Sequence, residues 1–398
     1  MKNYFYIFFT LFTATIFITS CKKEPKKIAI TQIKTNKGMF PVMEPFDYNL
    51  PKLSSKYVTE KKNAIEHFYN KNWPNSSLNG SFLVAKEGQI ITEKYEGFAN
   101  YRNKTKINCD TPIHIASVSK VITATAILKL IDAKKINLDQ KVNTILTTFP
   151  YPEITIKTLL NHRSGMRNYA YFTTEKNIWD KSKILTNQDI LDLLVSKKID
   201  LEAKTDTKFN YCNTNYAILA LVIEKITGLK YGDAIKKMIF EPLQMDHSYV
   251  FDYDLDKSKS VPSYKGNYQE IGLDFLDAIY GDKNIYSTPR DLLKLDLARH
   301  APNFLSPELN TQIYEGYSNE HVGTKNYGLG IRMINWDSGQ HFYFHNGWWH
   351  GFTSSYISLG KEKLTIISLS NKFTRATYKV KNISSLFGDY PFKVSDSI

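Results

Sequence analysis

Three cysteines in 398 residues can close at most one disulfide, so the fold is not framed by them. No stretch repeats at a fixed period, which excludes a solenoid or propeller. Apolar runs of membrane-spanning length are missing too: the opening run from Tyr4 to Ile18 is shorter than the roughly 20 residues a bilayer crossing needs. His341, His345 and His350 gather late in the chain, but without His-Glu-x-x-His spacing and with only Asp337 as a nearby carboxylate, so no metal is expected. The formal net charge is +13, yet the basic residues are scattered and no nucleic-acid motif accompanies them. The excess charge reads as a solvated surface, with some attraction to anionic membrane or polymeric cell-wall material.

The chain opens on a short positive start, Met1-Lys2-Asn3, followed by the apolar run and then Ile18-Thr19-Ser20-Cys21. This is the layout of an export signal over residues 1–20. Residues 21–53 are rich in Lys and carry Pro25, Pro41, Pro45 and Pro51, the composition of a tether. A single folded domain is expected over 54–398. With Cys21 set aside, Cys109 and Cys212 remain; they can pair in an oxidising compartment or stay as buried thiols, the reading preferred here.

Within that domain, Ser54 to Asn70 has helical spacing, and Gly80 to Tyr95 reads as two strands turning at Glu87-Gly88. A helix is expected from Ser117 to Lys134, another over Thr155 to His162, and a third over Thr214 to Thr227, ended by Gly228. Late strands are expected at Tyr327 to Ile334, His341 to Phe344, Phe352 to Leu359 and Leu364 to Ser370. Strands at both ends with helices between imply an α+β domain whose terminal segments share one antiparallel sheet.

The chemistry centres on Ser117-Val118-Ser119-Lys120. Residues three apart on a helix are neighbours, so an amine stands beside a hydroxyl. Lysine can act as the base that a serine nucleophile needs, and backbone N–H groups at a helix start can hold an oxyanion. Ser119, adjacent to Lys120, faces away from it and is the weaker nucleophile.

Ser117-x-x-Lys120, Tyr211-Cys212-Asn213 and His345-Asn346-Gly347 together resemble the serine β-lactamase and D,D-peptidase superfamily, most closely its class C β-lactamase-like branch. The supporting stretches are Leu159 to Met166, Ile239 to Met245 and Tyr327-Gly328-Leu329-Gly330. The resemblance implies an antiparallel sheet flanked by helices plus an all-helical region, with the active site in the cleft between them. It implies Ser117 as nucleophile, Lys120 as base, and Tyr211 as the group passing a proton to the leaving group. Asn213 would orient the substrate amide, the Trp348 N–H would serve as an oxyanion donor, and His345, Asn346 and Gly347 would line the cleft. Singly, Tyr211 can equally be a core aromatic, Asn213 a helix cap and His345 a strand residue paired with His341. A His345 near its ordinary pKa of about 6.5 would bind a carboxylate less well as pH rises through neutrality.

Ile18 to Cys21 likewise resembles a lipobox, implying a lipid on Cys21 and a membrane-anchored lipoprotein facing the periplasm or cell exterior. No cofactor is needed. Three substrates remain open: a β-lactam, a D-Ala-type or peptidoglycan-like peptide, and a carboxylic ester. The alternative function is a slow or inactive penicillin-binding-like envelope sensor or scaffold, and the sequence leaves the oligomeric state open.

Overall fold

The computed structural model describes residues 52–321 and 323–393; the signal segment, Cys21 and nearly all of the tether lie outside them. Helix α1 spans Ser55–Asn72, and the Ser54 hydroxyl caps it by accepting the Tyr57 N–H.

A hairpin follows, β1 (Gly80–Lys86) and β2 (Gln89–Glu96), turning at Glu87-Gly88 as expected. Then come α2 (Ser119–Asp132), α3 (Ile156–Leu160), α4 (Asn187–Ser196), α5 (Asn213–Thr227) and α6 (Pro289–Arg299). The chain closes with β3 (Lys325–Tyr327), β4 (Arg332–Asn335), β5 (His341–Trp349), β6 (Phe352–Leu359) and β7 (Leu364–Ser370), then a 3-10 segment over Arg375–Leu386.

These strands form one seven-stranded antiparallel sheet ordered β3-β4-β5-β6-β7-β1-β2. The early strand β1 and the last strand β7 pair with each other, Gly80 opposite Ser370 and Lys86 opposite Leu364, with only β2 beyond them on that side. Alternation along β1 sends Phe82 and Val84 to one face and Leu83 and Ala85 to the other. On the first face Phe82 packs with Tyr69 and Trp73, and the helix and 3-10 segment add Ile65, Phe68, Val380 and Ile383. The second face carries the helical region, led by α2 and α5. Both helices are buried nearly all round, so they form the interior of a layer. Gly228, at φ +70°, ends α5 as expected.

Two late elements depart from expectation. Tyr327 to Ile334 is two strands, because Gly328-Leu329-Gly330 turns the chain, with the Gly328 N–H donating to Ile331 O at 2.8 Å. Gly330 sits at φ +84°, and a Cβ there would lie 2.3 Å from the Ala124 Cβ of α2. The strand expected to end at Phe344 instead runs to Trp349, because β6 gives it hydrogen-bonding partners along its whole second half. No disulfide joins Cys109 and Cys212, which are both buried, and burial pushes the Cys212 thiol up to about 11. Among the described residues no helix is long and apolar enough to cross a membrane.

Candidate active site

Ser117 sits in a single 3-10 turn, Ala116–Val118, and α2 starts only at Ser119, two residues later than expected. Ala116 is held at φ +47°, where its N–H donates to His114 Nδ1 at 3.1 Å. In a 3-10 turn residues three apart still overlap, so the geometry the sequence implied survives: Lys120 Nζ donates to Ser117 Oγ at 3.2 Å. From Ile113 to Leu130 every residue is buried except Ser117. Ser119 is fully buried, and its hydroxyl accepts the Ile285 N–H at 3.3 Å.

Lys120 is fully buried beneath it. Its ammonium also donates to the Asp282 carbonyl at 2.8 Å and lies 5.1 Å from the Tyr211 ring centre. The Gly281-Asp282 stretch therefore supplies the lysine's second acceptor. Gly281 makes this possible, since at φ +92° it approaches α5 so closely that a Cβ would lie 2.4 Å from Tyr216 O.

Tyr211 precedes α5, with its ring 4.3 Å from the His162 ring and 4.4 Å from the Arg332 guanidinium carbon. Asn213 is the first residue of α5; Cys212 occupies the cap position, so the cap reading of Asn213 does not hold. The Asn213 Oδ1 is buried and has no hydrogen-bond partner, and the same is true of Asn346 Oδ1. Two unsatisfied acceptors of this kind are costly unless a ligand donates to them.

Strand β5 supplies the opposite wall. A Cβ on Gly347 would lie 2.9 Å from the Ser117 N and 2.3 Å from Ser354 Oγ, so only glycine lets this strand approach the nucleophile. Trp349 and Phe352 face each other across a two-residue turn, and antiparallel alternation then points the Trp348 N–H away from β6. Trp348 is 63% exposed, its ring beside Phe373.

His345 is where expectation fails. It is fully buried, with Nδ1 donating to Asn346 O at 2.9 Å and Nε2 accepting from the Tyr327 hydroxyl at 3.1 Å. Burial, with Arg332 and Lys120 adding to it, holds the imidazole well below its ordinary pKa. It is therefore neutral near pH 7, and no carboxylate contact through it can titrate there. The cation at this wall is Arg332, which the sequence reading passed over because only pairing of β4 with β5 brings it to the site. Nor do the three late histidines converge: His341 contacts Asn335, and His350 contacts Asp277. Asp274, Asp277 and His350 are near one another, but Asp277 is already bonded to His350 and Trp349.

The beta-lactamase family model matches residues 75–386, from just after α1 through the last strand and the 3-10 segment. The chain belongs to the beta-lactamase family. Its relatives include a penicillin-binding protein of Bacillus subtilis, 29% identical over 318 residues, covering 76% of this chain and 70% of that one. A teichoic acid D-alanine hydrolase of Staphylococcus aureus is 28% identical over 290 residues, covering 71% of this chain and 68% of that one. The solved penicillin-binding protein of Bacillus halodurans has the same fold, with a TM-score of 0.70 at 24% identity, covering 81% of this chain and 98% of that one.

This beta-lactamase-family chain is thus a serine hydrolase, and three of its histidines are buried and neutral. Burial lowers His114 to about 4 and holds His162 and His345 well below the ordinary value. Below pH 6.5 the unfolded chain binds more protons at these three sites, so stability present above about 6.5 is lost as pH falls, by up to ~1.4 kcal/mol per unit per histidine. His350 acts in the opposite sense: burial opposes its charge but Asp277 outweighs that and raises it, so its contribution fades at higher pH. Thermal melts at constant ionic strength should show the midpoint dropping from pH 6.5 towards 4; a flat profile would mean these imidazoles are solvated.

Proposed function

We propose that this protein is an exported serine hydrolase that cleaves a D-alanyl-type amide or ester carrying an anionic group near the scissile bond. Lys120, in its uncharged form, takes the Ser117 proton as Oγ attacks the acyl carbon, and the Ser117 and Trp348 N–H groups stabilise the oxyanion. Tyr211 passes the proton to the leaving group, whose departure leaves an acyl ester on Ser117 that water hydrolyses. Asn213 Oδ1 and Asn346 Oδ1 accept from N–H groups of the substrate. Lys120 reaches both the Ser117 hydroxyl and the Tyr211 ring, which favours turnover over the sensor alternative.

The observation that carries the substrate class is the Arg332 guanidinium. It is half-buried, and among the described residues it meets only rings, Tyr211 at 4.4 Å and Tyr327 at 5.9 Å, with no carboxylate or carbonyl acceptor. A guanidinium whose N–H groups are left to one side of a catalytic cleft suits a carboxylate or phosphodiester. That favours an anionic β-lactam, a peptide ending in D-alanine, or a D-alanyl ester of a polyol phosphate over a neutral ester. The named activity of the Staphylococcus aureus relative is of this kind.

The test is a matched pair of D-alanyl esters differing only in an anionic or a neutral leaving group, with wild type and Arg332→Gln. A charged hydrogen bond worth ~2 kcal/mol predicts a loss of about 30-fold in kcat/KM for the anionic member alone. Equal losses on both would refute the anionic reading. Export and a lipid on Cys21 rest on the signal-like start; Cys21→Ser should release the mature protein from membranes, and unchanged retention would count against the anchor.

A further inference from the structure

His162 takes no part in the chemistry just described, yet it is hydrogen-bonded to the residues on both sides of Tyr211. It follows α3 at φ +60° and is fully buried. Its carbonyl accepts the Asn210 N–H at 2.9 Å, and its Nδ1 accepts the Cys212 N–H at 3.1 Å. The residues on both sides of Tyr211 are therefore tied to one histidine, whose ring also packs 4.3 Å from the phenol. Nδ1 accepts a second bond, from Asn215 Nδ2 at 3.1 Å, and Asn215 is itself fixed by the Ser164 hydroxyl at 2.6 Å. With Nδ1 occupied as an acceptor, the ring proton is on Nε2, which is buried and has no partner.

We infer that His162 is the positioning residue for Tyr211: by accepting the Cys212 N–H while its carbonyl holds Asn210, it fixes the phenol where it can reach the leaving group. The inference rests on the proton-passing role proposed for Tyr211. It needs the imidazole neutral, since protonation at Nδ1 would remove the acceptor. Burial favours that, as do the surrounding cations Lys120 of α2 and Arg332 of β4, with His345 of β5 close by. Tyr216 and Tyr327 complete the ring of side chains around it.

A positioning role and a merely structural one differ in their dependence on the leaving group. A p-nitrophenyl ester expels a stable phenolate and has little need of a proton, whereas an alkyl ester of the same acid must be protonated to leave. The variants are His162→Phe, which keeps a ring but lacks the acceptor, and His162→Asn, whose Oδ1 can replace Nδ1 and whose side chain tolerates positive φ. Single-turnover acylation with both esters is measured in each, with and without Tyr211→Phe. His162→Phe should slow the alkyl ester about 100-fold and the aryl ester less than 3-fold, and His162→Asn should recover most of the loss. Adding His162→Phe to Tyr211→Phe should cost little more. Equal slowing of both esters by His162→Phe, or failure of His162→Asn to recover any rate while folded, would overturn the inference and leave Tyr211's role intact. If Tyr211→Phe itself shows no preference between the esters, the proton-passing role falls and the inference falls with it.

Discussion

Replacing Ser117 by alanine is expected to abolish acyl-enzyme formation and lower turnover by about 10^4-fold or more, with no loss of fold. The size follows from the way nucleophile and base act as one unit, so that removing either forfeits nearly the whole covalent route. The hydroxyl has one hydrogen-bonding neighbour, Lys120, and Ser117 is the partly open residue in an otherwise buried stretch, so its loss leaves no buried group stranded except the amine, which keeps the Asp282 carbonyl. Intact-protein mass after exposure to a penicillin, a chromogenic cephalosporin and a short-chain aryl ester reads the outcome directly. A mass increase that survives in Ser117→Ala would move the nucleophile elsewhere.

Lys120→Met should cost about 10^3-fold in acylation while the melting temperature holds or rises. Methionine fills much of the same volume without an amine, so the rate loss isolates the base, and general-base catalysis is commonly worth 10^2- to 10^4-fold. A fully buried ammonium costs desolvation that its two acceptors only partly return, which is why stability is not expected to fall. Single-turnover acylation beside a thermal melt separates the two effects. A fall in both together would mean that the lysine acts chiefly as structural support, through its bond to Asp282 and its contact with the Tyr211 ring.

How far the sequence could be read is clearest at particular residues. Ser117 and Lys120 were legible because a three-residue spacing makes neighbours in a 3-10 turn as well as in an α-helix, so the wrong helix start did no harm. The hairpin at Glu87-Gly88 and the stop at Gly228 were legible because turn and cap chemistry is local. His345 was misread in its charge: the residue type suggests titration near neutrality, whereas burial and two nearby cations decide it. Arg332 carried no signal, and His162 stood only within a supporting stretch with no role of its own, because what makes them matter is a partner far along the chain, Tyr211 for both.

The sequence by itself determined the local geometry: a hydroxyl beside an amine, strands at both ends of one domain, and a glycine in β5. Spacing and backbone freedom act over a few residues, and no distant contact is needed to express them. Only the tertiary structure decided that Gly347 lies against the Ser117 amide, that Asp282 lends a carbonyl to Lys120, and that Arg332 lies over the Tyr211 ring while His345 is buried and neutral. Those outcomes depend on which strand pairs with which and on how much water each side chain keeps. Both are properties of the whole packed chain.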